Sequence, residues 1–132
     1  MSTDDLTAIE QTALDYIEGF YDGDAARMER SLHPELAKRI THPDPVSGRS
    51  HLAEMSALAL TRFTREKAGR PTPAAERQQD VIVLDVFENA ASAKVIASTW
   101  IDYLHLSRFN GRWVIVNVLW EMKPGHPFVA YW

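Results

Sequence analysis

The chain has no cysteine. Disulfides, thiolate metal sites and a cysteine nucleophile are therefore excluded, and a reducing, cytoplasmic setting is expected. No apolar run approaches the ~20 residues needed to cross a bilayer. The acidic start Met1-Ser2-Thr3-Asp4-Asp5 lacks the basic and apolar blocks of a signal peptide. The 14 Lys and Arg are interspersed among 18 Asp and Glu, giving a net charge of -4. With neither a basic stripe nor a polybasic helix, no nucleic-acid partner and no membrane partner is expected. No glycine-rich phosphate loop and no Gly-x-Ser-x-Gly elbow occurs. His33, His42, His51, His105 and His126 share no metal-ligand spacing, whereas zinc and iron sites need three or four converging ligands. No metal and no cofactor are expected. What remains is an ordinary globular balance, 45% apolar and 24% charged in 132 residues, enough for one domain with a real core.

The most informative stretch is Trp100–Met122, in which two apolar runs flank Asn110-Gly111. Both turn residues tolerate positive φ, which a type I′ hairpin turn requires. The predicted register sets Phe109 against Arg112, Arg108 against Trp113 and Leu106 against Ile115. Carried on without a break, it sets Leu104 against Asn117, Asp102 against Leu119 and Trp100 against Glu121. Side chains alternate along a strand, so those residues share one face. The other face carries Ile101, Tyr103, His105, Val116, Val118 and Trp120. Both faces are too apolar to stay in water.

Along the rest of the chain, Ser2 or Thr3 can cap a long helix with an apolar stripe at Leu6, Ile9, Ala13, Tyr16, Ile17 and Phe20. Gly23 is its expected stop. Asp24 can cap a short second helix ending near Leu32, before His33-Pro34. Leu36–Thr41 reads as a short strand and residues 42–48 as loop. Ser50 is the expected cap of a third helix burying Leu52, Met55, Ala59 and Phe63. Val81–Phe87 and Ala93–Thr99 read as strands, the second running on into the Trp100 hairpin. Helices followed by an antiparallel sheet give an α+β class, three N-terminal helices packed on a strongly curved antiparallel sheet with an internal pocket. The expected division is one domain over 1–124 and an aromatic tail over 125–132.

Several segments carry a family resemblance. Asp15-Tyr16-Ile17-Glu18-Gly19-Phe20-Tyr21-Asp22-Gly23-Asp24 is similar to the first-helix motif of the putative lumazine-binding branch of the nuclear-transport-factor-two-like superfamily. His33-Pro34-Glu35-Leu36-Ala37-Lys38-Arg39 resembles its next segment. Asp102–Leu106 and Gly111–Asn117 resemble its closing hairpin. The resemblance spans roughly residues 6 to 122. It implies a cystatin-like cone with a deep pocket, and a homodimer packed sheet to sheet. Ketosteroid-isomerase-like and polyketide-cyclase-like enzymes, dehydratases, epoxide hydrolases and non-catalytic binders share that fold, so it does not choose a chemistry. The proline-rich loop at 43–45 and the tail after Pro124 depart from the pattern.

Asp102 is the best candidate for a catalytic group. Among Leu104, Leu106, Trp113 and Ile115 its pKa would rise and it would serve as an acid or base. The alternative is a structural carboxylate bonded to Tyr16 or to helix ends. Asn117 and Glu121 on the same predicted face would add polar groups near the mouth. The expected ligand-binding set is Tyr16, Phe20, Met55, Phe63, Trp100, Asp102, Leu104, Asn117, Leu119 and Glu121. The expected dimer interface is Ile101, Tyr103, His105, Val116, Val118 and Trp120. Three functions fit: a pocket protein for a small organic ligand, such as an aromatic or heterocyclic one; a cofactor-free isomerase, dehydratase or cyclase with Asp102 as acid–base and Tyr16 holding an oxyanion; or a dimeric interaction module with a filled core.

Overall fold

The structure is a computed structural model that describes residues 2–129. Of the expected aromatic tail, Ala130, Tyr131 and Trp132 lie outside the described residues. Helix α1 (Thr3–Asp22) begins where the Ser2 hydroxyl accepts the Asp5 N–H at 3.0 Å, with Asp4 and Asp5 at the positive end of the helix dipole. It stops at Gly23, whose φ of 71° is left-handed. Asp24 then caps α2 (Ala25–Ser31). The two helices are tied by Asp15, which accepts from Arg27 Nε at 2.8 Å and also from Arg30 and Gln11. Burial alone would raise its carboxyl, but these bonds outweigh it and hold the group below the usual range.

The remaining elements are β1 (Leu32–Pro43), β2 (Ser50–Ser56), α3 (Ala57–Glu66), β3 (Gln79–Phe87), β4 (Ala90–Ala97), β5 (Trp100–Phe109) and β6 (Arg112–Met122). Two short 3-10 turns, Lys67–Gly69 and Ala74–Glu76, carry the chain from α3 to β3. The six strands run in the order β2-β1-β6-β5-β4-β3. Every neighbouring pair is antiparallel except β1 with β6. The class is α+β, as the element pattern predicts. The core lies between α1 and one sheet face, with Ile9, Ala13 and Ile17 buried along with Val95, Leu104 and Ile115. No helix among the described residues is long and apolar enough to cross a membrane.

Three local expectations are corrected. Ser50–Ser56 is a strand paired with β1, not the start of a helix, and α3 begins at Ala57 with Ser56 as its cap. Asp44 accepts the N–H groups of Val46 and Ser47, closing a turn that sends the chain back along the long β1 edge. Leu52 consequently lies 60% exposed, while Met55 alone in β2 is buried. The second correction is at Ser98-Thr99, where the chain reverses. β4 and β5 are antiparallel partners rather than one bent strand.

The third correction moves side chains between faces. The hairpin tip is as predicted: Asn110 and Gly111 both have positive φ, and Phe109 pairs with Arg112, Arg108 with Trp113 and Leu106 with Ile115. His105 then pairs with Asn117, leaving Val116 as an extra residue on β6. That bulge shifts the register by one residue and turns every later side chain of β6 to the opposite face. Tyr103 pairs with Leu119, Asp102 with Trp120 and Ile101 with Glu121. On the far side of β6, β1 advances five residues from Leu32 to Ala37 while β6 advances two, from Ile115 to Asn117. Both neighbours of β6 thus break step at the same point.

Gly23 also fixes how α1 meets the turn after α3. A Cβ there would lie 2.4 Å from the backbone N and Cα of Ala68. Gly23→Ala combines a strained φ with a backbone clash, and chemical denaturation should show a loss above about 2 kcal/mol. A loss below about 0.5 kcal/mol would mean that the Lys67–Gly69 turn does not pack there.

Candidate functional site

A cavity of about 550 Å³ opens between α1, α3 and the concave sheet face. Its walls are largely aromatic. Tyr16, Phe20 and Tyr21 come from α1, Met55 from β2, Leu60 and Phe63 from α3, and Trp100, Trp120 and Met122 from the hairpin. Phe20 meets Trp100 edge-on at 5.6 Å between ring centroids, and Tyr21 meets it at 6.1 Å. These contacts set a fixed angle between helix and strand, since edge-to-face pairs are favoured by the ring quadrupoles. Tyr21 is held further by its hydroxyl, which donates to the Gln78 carbonyl and accepts the Ser98 N–H. Pro127, Phe128 and Val129 close one side, Phe128 standing edge-on to Trp120 at 5.5 Å. Glu66 and Lys67 supply charge to the lining from the end of α3.

One polar group stands out in this lining. Lys38, on β1, is only 8% exposed and lines the cavity. Its Nζ donates to the Tyr16 hydroxyl at 2.7 Å and lies about 5 Å from the ring centres of Tyr16 and Trp120, at 5.2 and 5.0 Å. Two aromatic faces thus flank the ammonium where water is scarce. Asp102 lies behind the wall, fully buried. Its Oδ2 accepts the Trp100 indole N–H at 2.8 Å. Its Oδ1 has no hydrogen-bond partner among the described residues. The Tyr16 hydroxyl sits close enough to this carboxylate for each to act on the other, without reaching Oδ1 in good bonding geometry.

The three groups perturb one another. Burial pulls the Lys38 ammonium below the usual lysine range, with Asp102 opposing it. Burial pushes the Asp102 carboxyl up, against the pull of Lys38, Trp100 and Tyr16. Burial first and the adjacent carboxylate second push the Tyr16 phenol well above the usual range. The arrangement is a buried acid and a buried amine, each displaced toward its neutral form, joined by a phenol.

Residues 4–121 match the family described as putative lumazine-binding. The chain belongs to that family. Its fold recurs in solved structures at low identity. An NTF2-like protein of unknown function from Shewanella baltica has a TM-score of 0.76 at 18% identity, covering 95% of this chain and 98% of its own. A second, from Silicibacter pomeroyi, has a TM-score of 0.75 at 18% identity, covering 93% and 100%. A protein of unknown function with a cystatin-like fold from Nostoc punctiforme has a TM-score of 0.66 at 11% identity, covering 96% and 97%. Likenesses at this identity carry the fold and no function. No curated protein sequence matches the chain.

In this member of the lumazine-binding family, Tyr16, Phe20, Met55, Phe63 and Trp100 of the expected site line the cavity. Asp102 stands one layer behind it, and Leu104 is packed in the core. Asn117, Leu119 and Glu121 are corrected: the Val116 bulge puts them on the convex face. There Leu119 is 49% exposed and Asn117 meets His105 at 3.3 Å. The same bulge corrects the expected interface. Val118 is fully buried in the core, Trp120 lines the cavity, and Val116 is the bulge residue itself. Ile101, Tyr103 and His105 do lie on the convex face, Ile101 pairing with Glu121, Tyr103 with Leu119 and His105 with Asn117.

Lys38 is the group that the sequence reading missed. The signal was present: Leu36, Lys38 and Ile40 alternate along a strand, and all three are buried, so a lysine occupies an inward position. Replacing it tests the electrostatics. In Lys38→Met, Asp102 loses the nearest positive charge, and its folded pKa rises further above its unfolded value. A raised acid lends stability that is complete below the unfolded pKa and is lost as pH rises through the folded one. The cost of Lys38→Met should therefore be roughly 3 kcal/mol at about pH 8 and clearly smaller near about pH 5. Equal costs at both pH values in urea titrations would show that Asp102 does not depend on Lys38.

Proposed function

We propose that this chain binds a small, flat, mostly apolar organic molecule in the aromatic cavity. The supporting observation is a cavity of about 550 Å³ walled by rings, with one buried cationic side chain, Lys38, on its wall. Ligand sites of this kind are concave and apolar with few polar groups, in the range of about 300–1,000 Å³. Tyr16, Phe20, Phe63, Trp100 and Trp120 give ring area for stacking, and Met55 gives an adaptable sulfur contact. Lys38 orients an acceptor atom of the ligand. Asp102 acts indirectly, by holding the Trp100 ring through its indole N–H and by balancing Lys38. The family description points the same way, toward a small heterocycle.

Trp100 and Trp120 both stand in the wall, so occupancy should quench tryptophan emission. Titration with lumazine and with the neutral dye N-phenylnaphthylamine should give saturable quenching and mutual displacement. Absence of saturable quenching by either compound up to millimolar concentration would end the reading.

The convex face supports a homodimer as part of the same reading. Tyr103 is 44% and Leu119 49% exposed and they pair on adjacent strands, while Ile82 on β3 is 43% exposed with Lys94 between it and Tyr103. Apolar side chains gathered on one sheet face favour burial against an equal face. Sedimentation at micromolar concentration should give twice the chain mass, and Leu119→Glu should give a monomer that retains the dye. A wild-type monomer would overturn the dimer and leave the pocket reading standing.

A further inference from the structure

We infer that Lys38 is a nucleophilic amine that captures the carbonyl group of an aldehyde or ketone inside the cavity as a Schiff base. This rests on the binding reading above and deepens it, by naming the reactive group that the ligand carries. Lys38 is on the cavity wall, 8% exposed, and its Nζ is 2.7 Å from the Tyr16 oxygen. Tyr16 in turn faces the fully buried Asp102. The chain Lys38–Tyr16–Asp102 therefore links an amine at the cavity to a carboxylate behind it through one hydroxyl. A lysine desolvated in an apolar pocket is an activated nucleophile, and a strained acid–amine pair of this kind within a cleft marks a functional centre.

The step balances within these groups. Lys38 gives one proton to Tyr16 as Tyr16 gives its own to Asp102, leaving a neutral amine and a neutral carboxylic acid. The nitrogen lone pair forms a bond to the carbonyl carbon, the π pair moves to oxygen, and one amine proton passes to that oxygen. The resulting carbinolamine loses its hydroxyl as water, using the proton held on Asp102. The product is a protonated imine on Lys38, a carboxylate on Asp102 and one water. No oxidant or reductant takes part. The aromatic wall selects a carbonyl on an apolar or aromatic body, and the ring faces of Tyr16 and Trp120 beside Nζ shield the imine from hydrolysis. Besides Tyr16 and Asp102, the charged groups near the cavity are Glu66 and Lys67, the Lys67 Nζ standing 5.5 Å from the Phe20 ring centre.

The test is reductive trapping on the full chain. The protein is incubated with naphthaldehyde and cyanoborohydride at about pH 6.5, where only about one ordinary lysine in ten thousand is neutral. Adducts are then mapped by peptide mass spectrometry. The chain has three other lysines, Lys67, Lys94 and Lys123, none of them buried. Labelling of Lys38 at least about ten-fold above each of these, suppressed by N-phenylnaphthylamine, is the expected result. Lys38→Met should lose that adduct while labelling of Lys67, Lys94 and Lys123 is unchanged. The wild-type map decides the matter if the variant does not fold. Dye binding with label spread evenly, or concentrated on Lys67, would overturn the Schiff-base assignment and leave the pocket standing. Neither dye nor label in the cavity would overturn both.

Discussion

The fold turns on the break in step at the middle of β6. This strand is paired on both sides, parallel to β1 and antiparallel to β5, and both ladders shift between Ile115 and Asn117. Before the break, Trp113 and Ile115 point into the core. After it, Val118, Trp120 and Met122 do so, while Leu119 and Glu121 face outward. A regular strand would have buried the polar half of the segment and exposed its rings. One extra residue bends the strand and re-aims its second half. The concave face at that end gains two large side chains that line a cavity. The bend also brings β1 alongside with Lys38 opposite Val118, so the feature that curves the sheet also seats the buried amine.

The polar set is costly to the fold, which is why its composition matters. A lone ammonium or carboxylate at such depth would be expelled or neutralised. Here the amine has a phenol at 2.7 Å and two ring faces, and the carboxylate has an indole donor at 2.8 Å. One carboxylate oxygen is left without a partner. Hydrophobic residues of similar volume would stabilise a core at least as well.

Much of this was legible in the sequence, and the failures share a physical origin. Ser2, Gly23 and Asp24 announced the ends of two helices because cap chemistry is local. Asn110-Gly111 fixed the hairpin tip for the same reason. The bulge was not legible: Val-Ile-Val-Asn-Val over residues 114–118 alternates as well in either register, and the shift coincides with a break in the β1 ladder that is distant in sequence. The segment Ser50–Ser56 carries a helical spacing at Leu52 and Met55, yet the unpaired edge of β1 recruits it as a strand. Lys38 was passed over because a lysine in a strand is read first as a solvated edge residue, and only the burial of Leu36 and Ile40 around it says otherwise.

The cavity draws its walls from two kinds of chain. Helix and strand residues such as Tyr16 and Trp120 are locked by backbone ladders that the whole domain shares. Pro127, Phe128 and Val129 come from a stretch outside every helix and strand. A substitution there changes the shape of the enclosure without disturbing a single sheet hydrogen bond. The shape of one wall of the cavity can thus change while the buried amine and its acid keep their places in the sheet. The scaffold and this part of the enclosure are separable.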